Sequence, residues 1–350
     1  MFFSLLKMKK RLNLILSLVI GIAIFAIFFY RTGIDAVWDI FSSIEPLYLG
    51  LFALFTTLTF VPAVLRWKIV LRAHGKDLPF LALLRYTIMG YAVSYVTPSA
   101  RIGGEPLRAY MVHKEQGMDL KTATSSVIIE KFVELSGSIA FGIFGLVLIF
   151  LIPNLDWRIK LFFGAVVLFG FSILLIFYYR SLMGKGSFSS LFLLFRLNKI
   201  ARWNDFVYVI LSVEKKMQKF FVKNKKEFFQ AFLTYLLYGV LVFFEFNFLF
   251  KGLGFNEPFT TVILAIVVSG FVGFIPIPGG LGFLEAGQSA LLSVVKGQGS
   301  LGFAFSLFLR IRGLVFVAIG FVLISYFSGG QLMERVEKKN KKKSRSTKKY

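Results

Sequence analysis

With 350 residues, 57% of them hydrophobic, 17% aromatic and only 17% charged, the chain is more apolar and less charged than a soluble domain. Mean hydropathy is +0.74, yet the net charge is +23, and the cations sit in a few blocks between long apolar runs. That pattern excludes a water-soluble enzyme and a nucleic-acid binder, and predicts an all-α polytopic membrane protein. The absence of cysteine removes disulfides, thiolate metal sites and cysteine nucleophiles. His74 and His113 are too far apart in sequence to make a metal site alone, so neither a metal nor a cofactor is expected.

In chain order, membrane segments are predicted at 12–30, 47–65, 81–97, 122–152, 158–179, 228–250, 258–275, 281–296 and 301–327. This gives about 7–9 crossings or part-crossings. The first lacks a small-residue cleavage motif and reads as a retained signal anchor. The stretch 98–121 is too polar for an ordinary span, and 258–296 is interrupted at Pro276-Ile277-Pro278-Gly279-Gly280.

Charge sets the sides. Lys7, Lys9, Lys10 and Arg11 precede the first span, and Arg66, Lys68, Arg72 and Lys76 follow the second against Asp77. Segment 180–227 carries 11 Lys and Arg against 3 acids, and the tail 334–350 carries 9 against 2. All four blocks are expected in the cytoplasm, with both termini. Segment 81–117 must then enter and return on the cytoplasmic side, and 258–296 must do so from outside. Two units of one design result, span, broken re-entrant hairpin, span, at about 47–152 and 228–327 in opposite orientation. Inverted repeats with matching Gly/Pro breaks point to the central site of a transporter. The whole is one transmembrane domain, 1–335. The connector 180–227 reads as a solvated link or a helix lying on anionic lipid, and 336–350 as a disordered Lys-rich tail.

The first hairpin tip, Pro98-Ser99-Ala100-Arg101-Ile102-Gly103-Gly104-Glu105-Pro106, puts two glycines and a proline at a helix start. Such a start aims N–H groups and the positive dipole end into a cavity. Arg101 and Arg108 add cations suited to phosphate, and Glu105 either pairs with Arg108 or meets an ammonium group. The second tip repeats the formula with Pro278, Gly279, Gly280, Gly282 and Glu285. Within the spans, Glu130, Lys131 and Glu134 fall at i,i+3 and i,i+4 spacings, and Arg310 and Arg312 lie in the last span. Charge in the bilayer costs at least about 2.5 kcal/mol per group, so these residues pair internally or face a pathway. Glu245 beside Asn247 reads as a packing device. No catalytic residue is assigned, since neither a nucleotide loop nor a Ser/His/Asp set is visible.

The motifs Thr97-Pro98-Ser99, Gly103-Gly104-Glu105-Pro106-Leu107-Arg108, Glu130-Lys131 and Pro276-Ile277-Pro278-Gly279-Gly280-Leu281-Gly282 with Glu285 resemble the lysylphosphatidylglycerol synthase transmembrane family. This is the flippase-like domain type of the multiple peptide resistance factor, and the resemblance covers about 10–330. It departs at Lys131 and Glu134, where Arg and Asp are commoner in the family. The resemblance implies transfer of a lipid such as lysyl-phosphatidylglycerol between leaflets of a bacterial inner membrane. A polyprenyl-phosphate-linked lipid is the other cargo that the basic tips suit. Phosphate-bearing lipid is thus the expected partner, with no nucleic acid. A membrane-embedded lipid-modifying transferase, or a membrane partner of a separate lipid synthase, are the alternatives. The soluble aminoacyl-transferase half of the resistance factors has no counterpart in this sequence.

Overall fold

The computed structural model describes residues 44–99, 101–152, 156–184 and 203–347; the expected span 12–30 lies outside these. Among the described residues the regular structure is entirely helical. Helices α1 (Pro46–Leu58) and α2 (Phe60–Ala73) form one 28-residue apolar unit interrupted at Thr59. The interruption has a local cause. Pro62 has no N–H for the Leu58 carbonyl, and the Thr59 hydroxyl donates to Thr56 O at 2.6 Å. The unit continues past residue 65, where the sequence reading had ended it, because Val64, Trp67, Val70 and Leu71 keep a helical apolar stripe buried. Gly75, at φ +76°, turns the chain once that stripe ends. Arg66, Lys68 and Arg72 are therefore helical residues and not a loop.

Next come α3 (Phe80–Val96) and α4 (Glu105–Gln116), the arms of the first hairpin, then α5 (Leu120–Leu151) and α6 (Trp157–Leu182). Asp119 caps α5 by accepting the Thr122 N–H at 3.1 Å. Within the connector lies α7 (Trp203–Lys223), and α8 (Lys225–Gly252) follows it. The second hairpin is α9 (Phe259–Val272) and α10 (Phe283–Lys296), and α11 (Gly299–Thr347) closes the bundle. Helix α11 runs on to Thr347, so most of the segment read as a disordered tail is helical. Its Lys, Glu and Arg residues are good helix formers extending a helix already nucleated by the span.

Among the described residues, five helical units are long and apolar enough to cross a membrane: 46–73, 120–151, 163–182, 225–252 and 299–327. The hairpin arms are shorter. Helix α3 has 17 residues and α9 has 14, about 26 and 21 Å at 1.5 Å per residue, against a hydrocarbon core of about 30 Å. Each arm falls short of a full crossing, as a re-entrant hairpin requires.

Contacts repeat between the two sets of helices. In the first, α3 packs on α4 and α4 on α5; in the second, α9 packs on α10 and α10 on α11. The sets also exchange matching contacts, since α3 packs on α11 while α9 packs on α5, and α8 lies along α1 and α2. The two sets thus repeat the same order of packed neighbours. Among the described residues three apolar clusters result, one around Trp67, Leu83, Tyr86 and Met89, a second around Phe246, Phe250, Phe305 and Leu309, and a third under α7.

Helix α7, part of the basic connector, is docked on protein. Val213, Met217, Phe220 and Phe221 bury one face against Val70, Ile129, Val133 and Phe177. His74 stacks on Phe220 with ring centroids 6.1 Å apart. Burial pushes the His74 imidazole below its usual range, and Lys216 and Lys219 push it further, against the favourable carbonyl of Val70.

Candidate functional site

The charges of the first unit form one closed network. Arg66, on α2, donates through Nε to Glu130 Oε1 at 2.7 Å and through Nη2 to Glu134 Oε2 at 3.0 Å, both on α5. Arg108, one turn into α4, donates through Nη1 to Glu130 Oε2 at 2.9 Å and to Glu105 Oε2 at 2.8 Å. Lys131 closes the ring, 3.1 Å from Glu105 and 3.2 Å from Glu134. Glu130 is 1% exposed and Arg108 5%, and the Arg108 guanidinium lies 4.1 Å from the Trp67 ring centre. Three cations meet three carboxylates, tying α2, the hairpin helix α4 and α5 together. Burying such charges is tolerable only because every one is paired.

The second unit also holds buried ion pairs. On the hairpin helix α10, Glu285 lies in the first turn, and on α11 Arg310 answers it at 2.5 Å. On α8, Glu245 is buried, and Arg312 of α11 pairs with it. Thr56 Oγ1 donates to the same Glu245 oxygen at 2.6 Å. Glu245 thus has the structural role expected of it, with Arg312 as its partner. Glu285 Oε2 also accepts the Gly282 N–H at 2.8 Å, closing the start of α10.

The two hairpin tips touch. A Cβ on Gly273 would lie 2.4 Å from Arg101 Cζ and Nε, and one on Gly279 would lie 2.7 Å from the Tyr95 ring. Tyr95 is at the end of α3, and its ring also covers Gly313 of α11. Tyr91 and Tyr95 are neighbours, ring centroids 5.8 Å apart, and Tyr235 and Tyr238 of α8 form a second pair at 5.4 Å. The tyrosines bridge the charged regions, because Tyr238 is within electrostatic reach of Arg101, Arg312, Glu245 and Glu134. Arg101 itself is exposed, adopts φ +64°, and has no ion pair among the described residues. A non-glycine residue in that conformation is held there by its surroundings.

Comparison with known proteins places this architecture. A family model described as the lysylphosphatidylglycerol synthase TM region matches residues 14–320. The chain belongs to this family. Among relatives, a UPF0104 membrane protein of Methanothermobacter thermautotrophicus is 23% identical over 91% of this chain and 96% of its own length. Another from Pyrococcus horikoshii is 23% identical over 80% of this chain and 87% of its own, and one from Methanocaldococcus jannaschii is 28% identical over 40% and 41%. Within the lysylphosphatidylglycerol synthase transmembrane family, this chain is a multi-pass membrane protein with several apolar helices.

The predicted site residues separate into three groups. Glu105, Arg108, Glu130, Lys131 and Glu134 come together in the first network, and Glu285, Arg310 and Arg312 in the second set of pairs. Arg108 and Glu285, expected to face a head group, are instead buried clasps between each hairpin and its neighbouring span. The glycine N–H groups of the first tip do not project freely. Ser99 Oγ accepts the Gly103 N–H and Ser94 Oγ the Gly104 N–H, each at 2.8 Å, while Pro98 lies in the bend before them. In the second tip the Gly280 N–H goes to Ile277 O at 3.0 Å, within the short helical turn Pro278–Gly280, and Glu285 takes the Gly282 N–H. Arg101 alone of the predicted site cations has no ion pair among the described residues. Sequence reasoning missed Arg66 and the four tyrosines. The tyrosine signal was present as i,i+4 at Tyr91 and Tyr95 and i,i+3 at Tyr235 and Tyr238, polar-tipped rings in apolar helices.

Proposed function

We propose that this chain moves a phosphate-bearing lipid between the leaflets of the cell membrane, with the head group passing the junction of the two hairpin tips. The observation that carries the reading is Arg101, an uncompensated cation where the tips of two part-crossing hairpins touch. Irregular backbone at membrane depth is stable only when it is buried in protein or lines a wet cavity. A guanidinium there gives a phosphate a bidentate partner. Lys131 and Glu134 at 25% and 28% exposure, and Arg312 at 27%, line the approach. The carboxylates a transferase would need as general bases are each held by an arginine or lysine, which favours transport over group transfer. The basic blocks support a cytoplasmic side for both termini.

The test is a dithionite-quenching assay on proteoliposomes carrying fluorescent lipid in both leaflets. The wild type should expose the inner-leaflet pool, and Arg101→Gln should slow that loss about tenfold or more, as expected for removing a charged hydrogen-bond partner. An exposed side chain can be changed without unfolding the bundle. Equal rates for wild type and Arg101→Gln would remove Arg101 from the pathway.

A further inference from the structure

The two hairpins meet through side chains, whereas the contacts behind them set backbone close to backbone. Within the first hairpin, a Cβ on Gly104 would fall 1.9 Å from the Gly90 carbonyl oxygen. Helix α3 is fixed to α11 in the same way, since a Cβ on Gly320 would lie 2.4 Å from Ala92 Cβ and 2.8 Å from Ile88 O. About one turn farther along α3, Tyr95 makes a different contact. Its phenol end is held between glycines of two separate elements. A Cβ on Gly279, in the second tip, would lie 2.7 Å from Tyr95 Cε1, and one on Gly313, in α11, would lie 2.6 Å from Cε2. The two edges of the ring thus fill a slot that only residues without a side chain leave open. Arg310, Arg312 and Glu285 are within electrostatic reach of the phenol, which gives its oxygen polar neighbours.

We infer that Tyr95 is the bolt between the hairpins: the tips part, and a head group passes, only when its ring leaves the slot between Gly279 and Gly313. This rests on the transport reading above and concerns its rate. The backbone contacts hold the first hairpin and α11 as one body, so the tips separate where side chains join them. Arg101, which lies over Gly273, is exposed and returns to water when it swings away. Tyr95 is half-buried, and its ring gives up contact on both edges as it leaves. The exchange turns side-chain torsions alone, between staggered positions.

Gly313→Ala supplies the test. Its methyl group fills the slot from α11, and alanine is the better helix former, so the variant expels the ring without weakening the span. In the dithionite assay Gly313→Ala and Tyr95→Ala should each speed passage about tenfold or more. A factor of ten is about 1.4 kcal/mol, less than burial of an aromatic side chain supplies. The two effects should not multiply: Gly313→Ala in the Tyr95→Ala background should change the rate by less than about twofold. Tyr95→Phe keeps the ring and should stay nearer the wild type than Tyr95→Ala does. Opening is read apart from lipid movement by nitroxides on Ile102→Cys and Phe274→Cys of the otherwise cysteine-free chain. Their separation should become broader and longer by about 3.5 Å or more, one layer of packed atoms, in Tyr95→Ala and in Gly313→Ala. An unchanged or shorter separation in both, or rates that fall or multiply, would overturn the inference. A lengthened separation with no lipid moved by the wild type or any variant would uphold the bolt and overturn the transport reading.

Discussion

Arg108→Ala should cost the fold about 3–5 kcal/mol, the range for breaking a buried ion pair by removing one partner. Glu130, at 1% exposure, would keep only Arg66, and Glu105 only Lys131. The network would pass from balanced to one net negative charge away from water. The stacking of the guanidinium on Trp67, worth about 0.5–2 kcal/mol, would be lost as well. Arg108→Ala combined with Glu130→Gln should be less damaging than the sum of the single changes. Arg66 then retains Glu134 and Lys131 retains Glu105, so charge is balanced again. Unfolding in detergent micelles for the two single variants and the double gives the coupling directly, expected at about 1–3 kcal/mol. Additive losses would mean that the two residues do not act through each other.

Gly104→Ala should be comparably severe, for a steric reason. Its Cβ would lie 1.9 Å from Gly90 O and 2.5 Å from Gly90 C, backbone against backbone with no flexible side chain to yield. The arms of the first hairpin cross at these two glycines. Forcing them apart would also displace Arg108, whose Cγ and Cδ cover Gly90 within 2.8 Å of where its Cβ would be. Overpacking ordinarily costs about 1–3 kcal/mol, and a rigid backbone contact belongs at or above the top of that range. Gly270→Ala is the matched control, a helical glycine with nothing within 4 Å of its added Cβ, and it should be neutral or stabilising by up to about 1 kcal/mol. Thermal unfolding of both, side by side, separates close packing from loss of glycine as such. Similar midpoints would contradict the crossing.

The hairpins were legible because their breaks are written locally, in Gly103-Gly104-Glu105-Pro106 and Pro276 to Gly282, and polarity interrupts apolar runs at the same places. The Lys131–Glu134 pair was legible for the same reason, since i,i+3 spacing on a helix fixes proximity. What escaped were non-local partners. Arg66 looked like the first residue of a basic loop, although the stripe from Val64 to Leu71 carries the helix past it and against Glu130, 64 residues away. Glu245 beside Asn247 suggested a local device, while its partners, Arg312 and Thr56, lie 67 and 189 residues away. Arg108 and Glu285 were placed at the right turn of their helices, but their direction depends on neighbouring spans.

The central claim is that the two hairpins enter the membrane part-way and meet inside it. The chain has no native cysteine, so single thiols can be placed at Ile102 and Phe274, exposed residues of the two tips at 54% and 50%. Depth is measured in proteoliposomes by fluorophores at these thiols and quenchers fixed at known levels on the lipid chains. Both labels should report the same level, within about one helical turn, ~5 Å, of the bilayer centre. Labels reading out at opposite surfaces, each about 15 Å from the centre, would show the hairpins to be complete crossings and would contradict the account.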